Sequence, residues 1–155
     1  MTNPLAHHRM LGTPGLDRFG MSILRYQFPQ NRKPGDTDSN WLMVQGEVRR
    51  RDDSWTFADP CLLTSELQEL ITWLEQPAQA KSSIWFMEPL LRFEWQFDAA
   101  DMLTLQLRAE AIPERVLTGR ARWDEGIALE LAVSRQQIQT FAAGLADDLR
   151  RFPPR

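Results

Sequence analysis

Residues 54–75, SWTFADPCLLTSELQELITWLE, read as a strand that passes at once into an amphipathic helix, and this join decides the fold class. Trp55 and Phe57 alternate with Ser54, Thr56 and Ala58, the period of two that sends successive side chains to opposite faces of a sheet. Asp59-Pro60 is expected to break the ladder, because proline has no N–H to donate. Ser65 and Gln68 have the spacing of a capping box. Leu67, Leu70, Ile71 and Leu74 recur at i, i+3, i+4 and i+7, which predicts a helix with one apolar stripe.

Working outward, residues 19–28 and the segment NWLMVQGEV (40–48) predict two further strands, separated by PQNRKPGDTDS (29–39), whose prolines, glycine and aspartates mark an exposed loop. Gly46 predicts a bulge. Arg49-Arg50-Arg51 followed by Asp52-Asp53 predicts a solvated hairpin tip. In SSIWFMEP (82–89) both parities are apolar, so a central strand covered on both faces is expected. Leu91, Phe93, Trp95 and Phe97, then Leu103, Leu105, Leu107, Ala109 and Ala111, then Ile127, Leu129, Leu131 and Val133 alternate with polar residues, as in sheets with one wet face. The intervening turns leave no room for the helical crossovers of a parallel sheet. A second helix closes the chain: Ser134 and Gln137 fit a capping box, and Ile138, Phe141, Leu145, Leu149 and Phe152 form its stripe. Short amphipathic helices need a surface to cover and a one-sided sheet needs a cover. The expectation is an α+β fold, mainly one antiparallel meander with two amphipathic helices packed on one face. Residues 1–18 are read as a flexible arm, and 19–155 as a single domain.

At 155 residues the chain suits one domain. No apolar run approaches the roughly 20 residues of a membrane span, and the start lacks the apolar stretch of a secretory signal, so a cytoplasmic protein with no membrane partner is expected. A net charge of −3 disfavours nucleic acid as a partner, since a basic stripe supplies most of that affinity. The residues offer little chemistry. His7 and His8 fall in the arm, so no histidine is left in the domain to act as a base. Cys61 lies between apolar neighbours and is read as core. Carboxylates fall in turns, metal-ligand spacing is missing, and glycine-rich phosphate loops do not occur. No catalytic residue, metal or cofactor is therefore predicted. Of the six tryptophans, Trp55, Trp73 and Trp95 are assigned to the core, whereas Trp41 and Trp85, with Met43 and Met87, sit opposite the core parity and are candidates for a second apolar face.

In the order NWLMVQGEV, SWTFADPCLLTSELQELITWL, FMEPLLRF and LRRFPPR, the chain resembles the WapI family of bacterial immunity proteins, over residues 19–155. Its most specific parts are Asp59-Pro60-Cys61 before Glu66-Leu67 and Trp73-Leu74, and Glu88-Pro89 before an aromatic strand. The arm before Phe19 and the loop from Pro113 to Glu125, with Arg115, Arg120 and Arg122, look particular to this chain. The resemblance implies a non-enzymatic protein that binds and neutralises a cognate toxin domain, a nuclease being one candidate, by occluding its active surface. Such a protein needs a stable scaffold and a surface complementary in shape and charge. Glu47, Glu94, Glu110 and Glu130, all on polar strand parity, are assigned to that surface together with Trp41 and Trp85. The competing reading is a generic interaction module, monomeric or homodimeric through the Trp41/Trp85 face.

Overall fold

The computed structural model describes residues 9–76, 83–96 and 102–155. Within them eight strands form two antiparallel four-stranded meanders. The first contains β1 (Met10–Gly12), β2 (Arg18–Tyr26), β3 (Trp41–Arg50) and β4 (Asp53–Leu63), and the second β5 (Ser83–Trp85), β6 (Leu91–Trp95), β7 (Met102–Leu107) and β8 (Ile127–Ala132), each in chain order. Helix α1 (Thr64–Glu75) connects them, the short α2 (Arg120–Asp124) precedes β8, and α3 (Arg135–Arg151) follows it. The α+β class and the antiparallel pairing are as the sequence predicts. The single sheet is not: α1 begins directly after Leu63, and the strands that follow pair only among themselves.

The alternation places Phe19, Met21, Ile23, Val44, Val48, Trp55 and Phe57 on one face of the first sheet, paired across the strands as Phe19 with Val48 and Trp55 with Val48. On the second sheet Phe93, Leu105 and Leu129 align in the same way. Both faces, the α1 stripe and the α3 stripe join in one buried cluster. Phe19 meets Phe93 edge-on at 6.2 Å between ring centroids, and Trp73 of α1 stacks on Trp95 at 5.6 Å. Trp55, Trp73 and Trp95 are thus core, as assigned.

Several local expectations are corrected. Residues 9–18 are no loose arm, since β1 pairs with β2 from Met10 opposite Gly20 to Gly12 opposite Arg18; residues 1–8, with His7 and His8, lie outside the described residues. Pro60 does not end β4. The pairing shifts from Val44–Asp59 to Leu42–Leu62, so β4 holds an extra residue at Pro60-Cys61, where a bulge absorbs the missing donor. Gly46 is not a bulge; it stands opposite Phe57, and a Cβ there would lie 2.2 Å from the ring, so the glycine makes room for an aromatic cover. SSIWFMEP supplies only the edge strand β5 rather than a central one. The cap of α1 is shifted as well: Glu66, not Ser65 and Gln68, closes the turn, its Oε1 accepting the Leu63 N–H at 3.0 Å. At α3 Ser134 Oγ accepts the Gln137 N–H as predicted, but the Gln137 side chain turns away to pair with both backbone groups of Gly12.

That last contact belongs to a seam between the sheets. Thr13 Oγ1 donates to the Ala132 carbonyl at 3.1 Å, and Asp17 accepts the Glu130 N–H at 3.0 Å. Beyond β1, the edge of β2 is met by side chains: Asp148 accepts the Ile23 N–H at 2.9 Å, while Arg9 reaches the Met21 carbonyl and pairs with Asp148 at 2.5 Å. The last residue is anchored too, with Arg155 bonded to Asn40 and its guanidinium 3.5 Å from the centroid of the Tyr26 ring.

Candidate partner-binding surface

The structure scatters the residues assigned to the partner surface. Glu47 is buried on β3, accepts from Arg49 at 3.0 Å and lies beside Arg18, so its charge is spent inside the protein. Trp41 is half-buried on the same strand, on a different sheet from Trp85. Glu94 and Glu130 do come together: the register aligns Ser83, Glu94, Thr104 and Glu130 in one row across the outer face of the second sheet. Glu94 pairs with Arg92 at 3.6 Å, and Glu130 bonds to Thr104 and Gln96. The neighbouring row holds Trp85, Arg92, Gln106 and Ala128. Glu110 leaves the strand pattern altogether and is exposed in a 3-10 turn, Ala109–Ala111, because β7 ends at Leu107.

Trp85 is 63% exposed and Met87 67%, the two largest exposures among the big apolar side chains described. The segment carrying them is held on both sides: Glu66 Oε2 accepts the Met87 N–H at 2.7 Å, and the Leu90 carbonyl accepts from Arg108 N at 3.0 Å. Arg92 stacks over the Trp85 ring at 5.5 Å, and a hollow of about 270 Å³ opens beside it, lined by Trp85, Pro89, Leu91, Arg92, Gln106 and Arg108. The Ala109–Ala111 turn packs on β4, with the Trp55 indole donating to the Ala111 carbonyl at 2.9 Å. This brings Glu110 towards Asp59 of β4, and Glu88 approaches Asp59 as well.

Burial, reinforced by Glu110 and then Glu88, pushes the Asp59 carboxyl up to about 6 from 3.8. The folded chain therefore holds this proton more tightly than the unfolded chain. The favourable contribution is complete below about pH 4, declines as pH rises towards about 6 and is lost above it. Asp59→Asn, neutral throughout, is expected to gain melting temperature relative to wild type as pH rises from about 4 to about 7. Parallel melting curves across that range would show that Asp59 titrates with the same pKa folded and unfolded.

The surroundings offer little for bond chemistry. Cys61 is 1% exposed, and burial, with Asp59 next, pushes its thiol well above the ordinary range, away from the thiolate a nucleophile requires. Among the described residues no group of three or more His, Cys, Asp or Glu side chains is placed to hold a metal ion, and no helix is long and apolar enough to cross a membrane. Sequence reasoning did not bring Asp59 and Glu88 together: the first was read as part of a break in the ladder, the second as the entry to a strand. An aspartate inside an apolar strand pattern was the available signal.

Compared with known proteins, residues 10–153 match the model of the immunity protein WapI-like family. The chain belongs to that family. No curated protein and no solved structure matches it. The WapI-like match begins at Met10, the first residue of β1, so it takes in the part of the arm from residue 10 onward. Arg115 of the 113–125 loop donates to Asp53 at 2.6 Å and lies over the Trp55 ring. Membership makes the chain a bacterial immunity protein of WapI-like type, whose implied partner is a toxin.

Proposed function

We propose that this WapI-like protein acts in the cytoplasm by binding a cognate toxin domain and covering its working surface, with no chemistry of its own. The observation that carries the reading is the family match over residues 10–153. It accords with a surface that offers exposed apolar side chains and acids rather than a nucleophile and base. A nuclease is the favoured toxin. The catalytic cleft of a nuclease is cationic, and a chain of net charge −3 gains from this both fast encounter and a bound state that competes with phosphate.

Of the acids first assigned to the interface, Glu94, Glu110 and Glu130 remain candidates together with Trp85, all of them exposed. Glu47 is withdrawn, because a buried carboxylate already paired with Arg49 has nothing left to offer a partner, and Trp41, half-buried on the first sheet, does not share the face of Trp85. The test is co-expression with the toxin domain encoded beside this chain's own gene. Cells producing both are expected to grow and cells producing the toxin domain alone to arrest; arrest in both would end the immunity reading.

A further inference from the structure

We infer that the ledge formed by Trp85 and Met87, with the hollow beside it and an acidic rim of Asp59, Glu88 and Glu110, is the docking surface for a basic protein domain. The inference rests on the immunity reading and adds to it the location and the chemistry of the contact.

Three features single out this ledge. First, Trp85 and Met87 expose more of themselves than any other large apolar side chain described, and they are two positions apart on one short segment. Tryptophan and methionine are enriched at the centres of protein interfaces. Second, the ledge is already in place. Glu66, at the start of α1, fixes the Met87 N–H at 2.7 Å, and the Leu90 carbonyl holds Arg108 N, so little ordering entropy is lost on binding. Third, acids gather on one side of it, next to a hollow whose own lining includes Arg92 and Arg108. Arg92 is occupied by Glu94 at 3.6 Å and by the Trp85 ring, whereas the groups acting on Asp59 are acids, Glu110 and Glu88. A lysine or arginine from a partner would relieve that repulsion, and an apolar side chain beside it would fill the hollow of about 270 Å³.

The probe is a catalytically inactivated form of the toxin domain encoded beside this gene, with association and dissociation followed at low and high salt. Trp85→Ala/Met87→Ala is expected to weaken binding about 100-fold, mostly through faster dissociation. Glu88→Gln/Glu110→Gln is expected to slow association about 10-fold at low salt, with the gap closing at high salt. Both variants alter exposed or half-exposed side chains, and an unchanged melting curve separates lost contact from lost fold. Phe28→Ala, which removes an exposed aromatic outside the ledge, serves as the control and is expected to bind like wild type.

If wild type and both double variants bind equally, the surface is wrong and the immunity reading stands. If the charge variants associate faster, the partner is acidic and the inference is overturned. If wild type does not bind the toxin domain, inference and reading fall together; a wild-type dimer that Trp85→Ala/Met87→Ala dissociates would overturn the inference in favour of self-association.

Discussion

Replacing Asp148 with alanine is expected to lower the unfolding free energy by about 3–5 kcal/mol, the usual cost of removing one partner from a buried charge pair. Asp148 is 3% exposed and serves two groups at once, the Ile23 N–H at 2.9 Å and the Arg9 guanidinium at 2.5 Å. β1 pairs with β2 only as far as Gly20, and among the described residues no strand lies beside the edge of β2 beyond that point. Asp148 and Arg9 meet its backbone groups instead: one accepts from Ile23 N, the other donates to the Met21 carbonyl at 3.3 Å and to the Gly144 carbonyl at 3.2 Å, tying α3 to the sheet. Alanine would leave the Ile23 N–H without its acceptor and the Arg9 guanidinium without its counter-charge. Asparagine keeps an oxygen for Ile23, so Asp148→Asn should lose clearly less. Urea unfolding of both variants, with Arg9→Met in a double-mutant cycle, measures the coupling directly. A loss under about 1 kcal/mol for Asp148→Ala would mean that solvent reaches this edge of β2.

Trp73→Ala is expected to cost a similar amount, about 3–5 kcal/mol, by a different route. Its indole lies between α1 and the second sheet, stacked on Trp95 at an interplanar angle of 23° and tilted against Phe93 at 6.4 Å. Phe93 in turn meets Phe19 of the first sheet. Removing the ring therefore opens a cavity where the helix and both sheets converge, and no single neighbour can close it. Trp73→Phe should recover a large part of the loss, because it restores a ring to the stack. The check is the denaturation midpoint of each variant. Near-wild-type stability of Trp73→Ala would place the helix–sheet contact outside the cooperative core.

The elements whose apolar residues follow one period over many positions were legible from the sequence. β4, β6, β7, β8, α1 and α3 all carry such patterns, and their buried faces are those the alternation specifies. Period reports which face is buried but not how many sheets share the core, so the division into two meanders was hidden. Short segments fared worst. β1 has three residues, MLG, and its place depends on pairing with β2 and on Gln137, more than a hundred residues away. The acids show the same limit. Parity assigned Glu47 to solvent, yet it is buried beside Arg49, since a polar residue on the outer face of a sheet can be covered by neighbouring arginines. Trp85 was recognised from its parity, and it is exposed on the outer face of the second sheet. Asp59 and Glu88 were not recognised. The approach of Glu110 to Asp59 arises only when the 109–111 turn folds back onto β4, and no local pattern encodes that contact.

On the proposed function, this WapI-like protein covers a toxin domain and does not transform it. The most direct measurement is a titration of the purified neighbouring toxin domain's activity with increasing amounts of this chain. The account predicts a linear fall that reaches full inhibition at one-to-one equivalence, with both proteins recovered intact from a single complex. Inactivation by a small fraction of an equivalent, or undiminished toxin activity at excess, would contradict it.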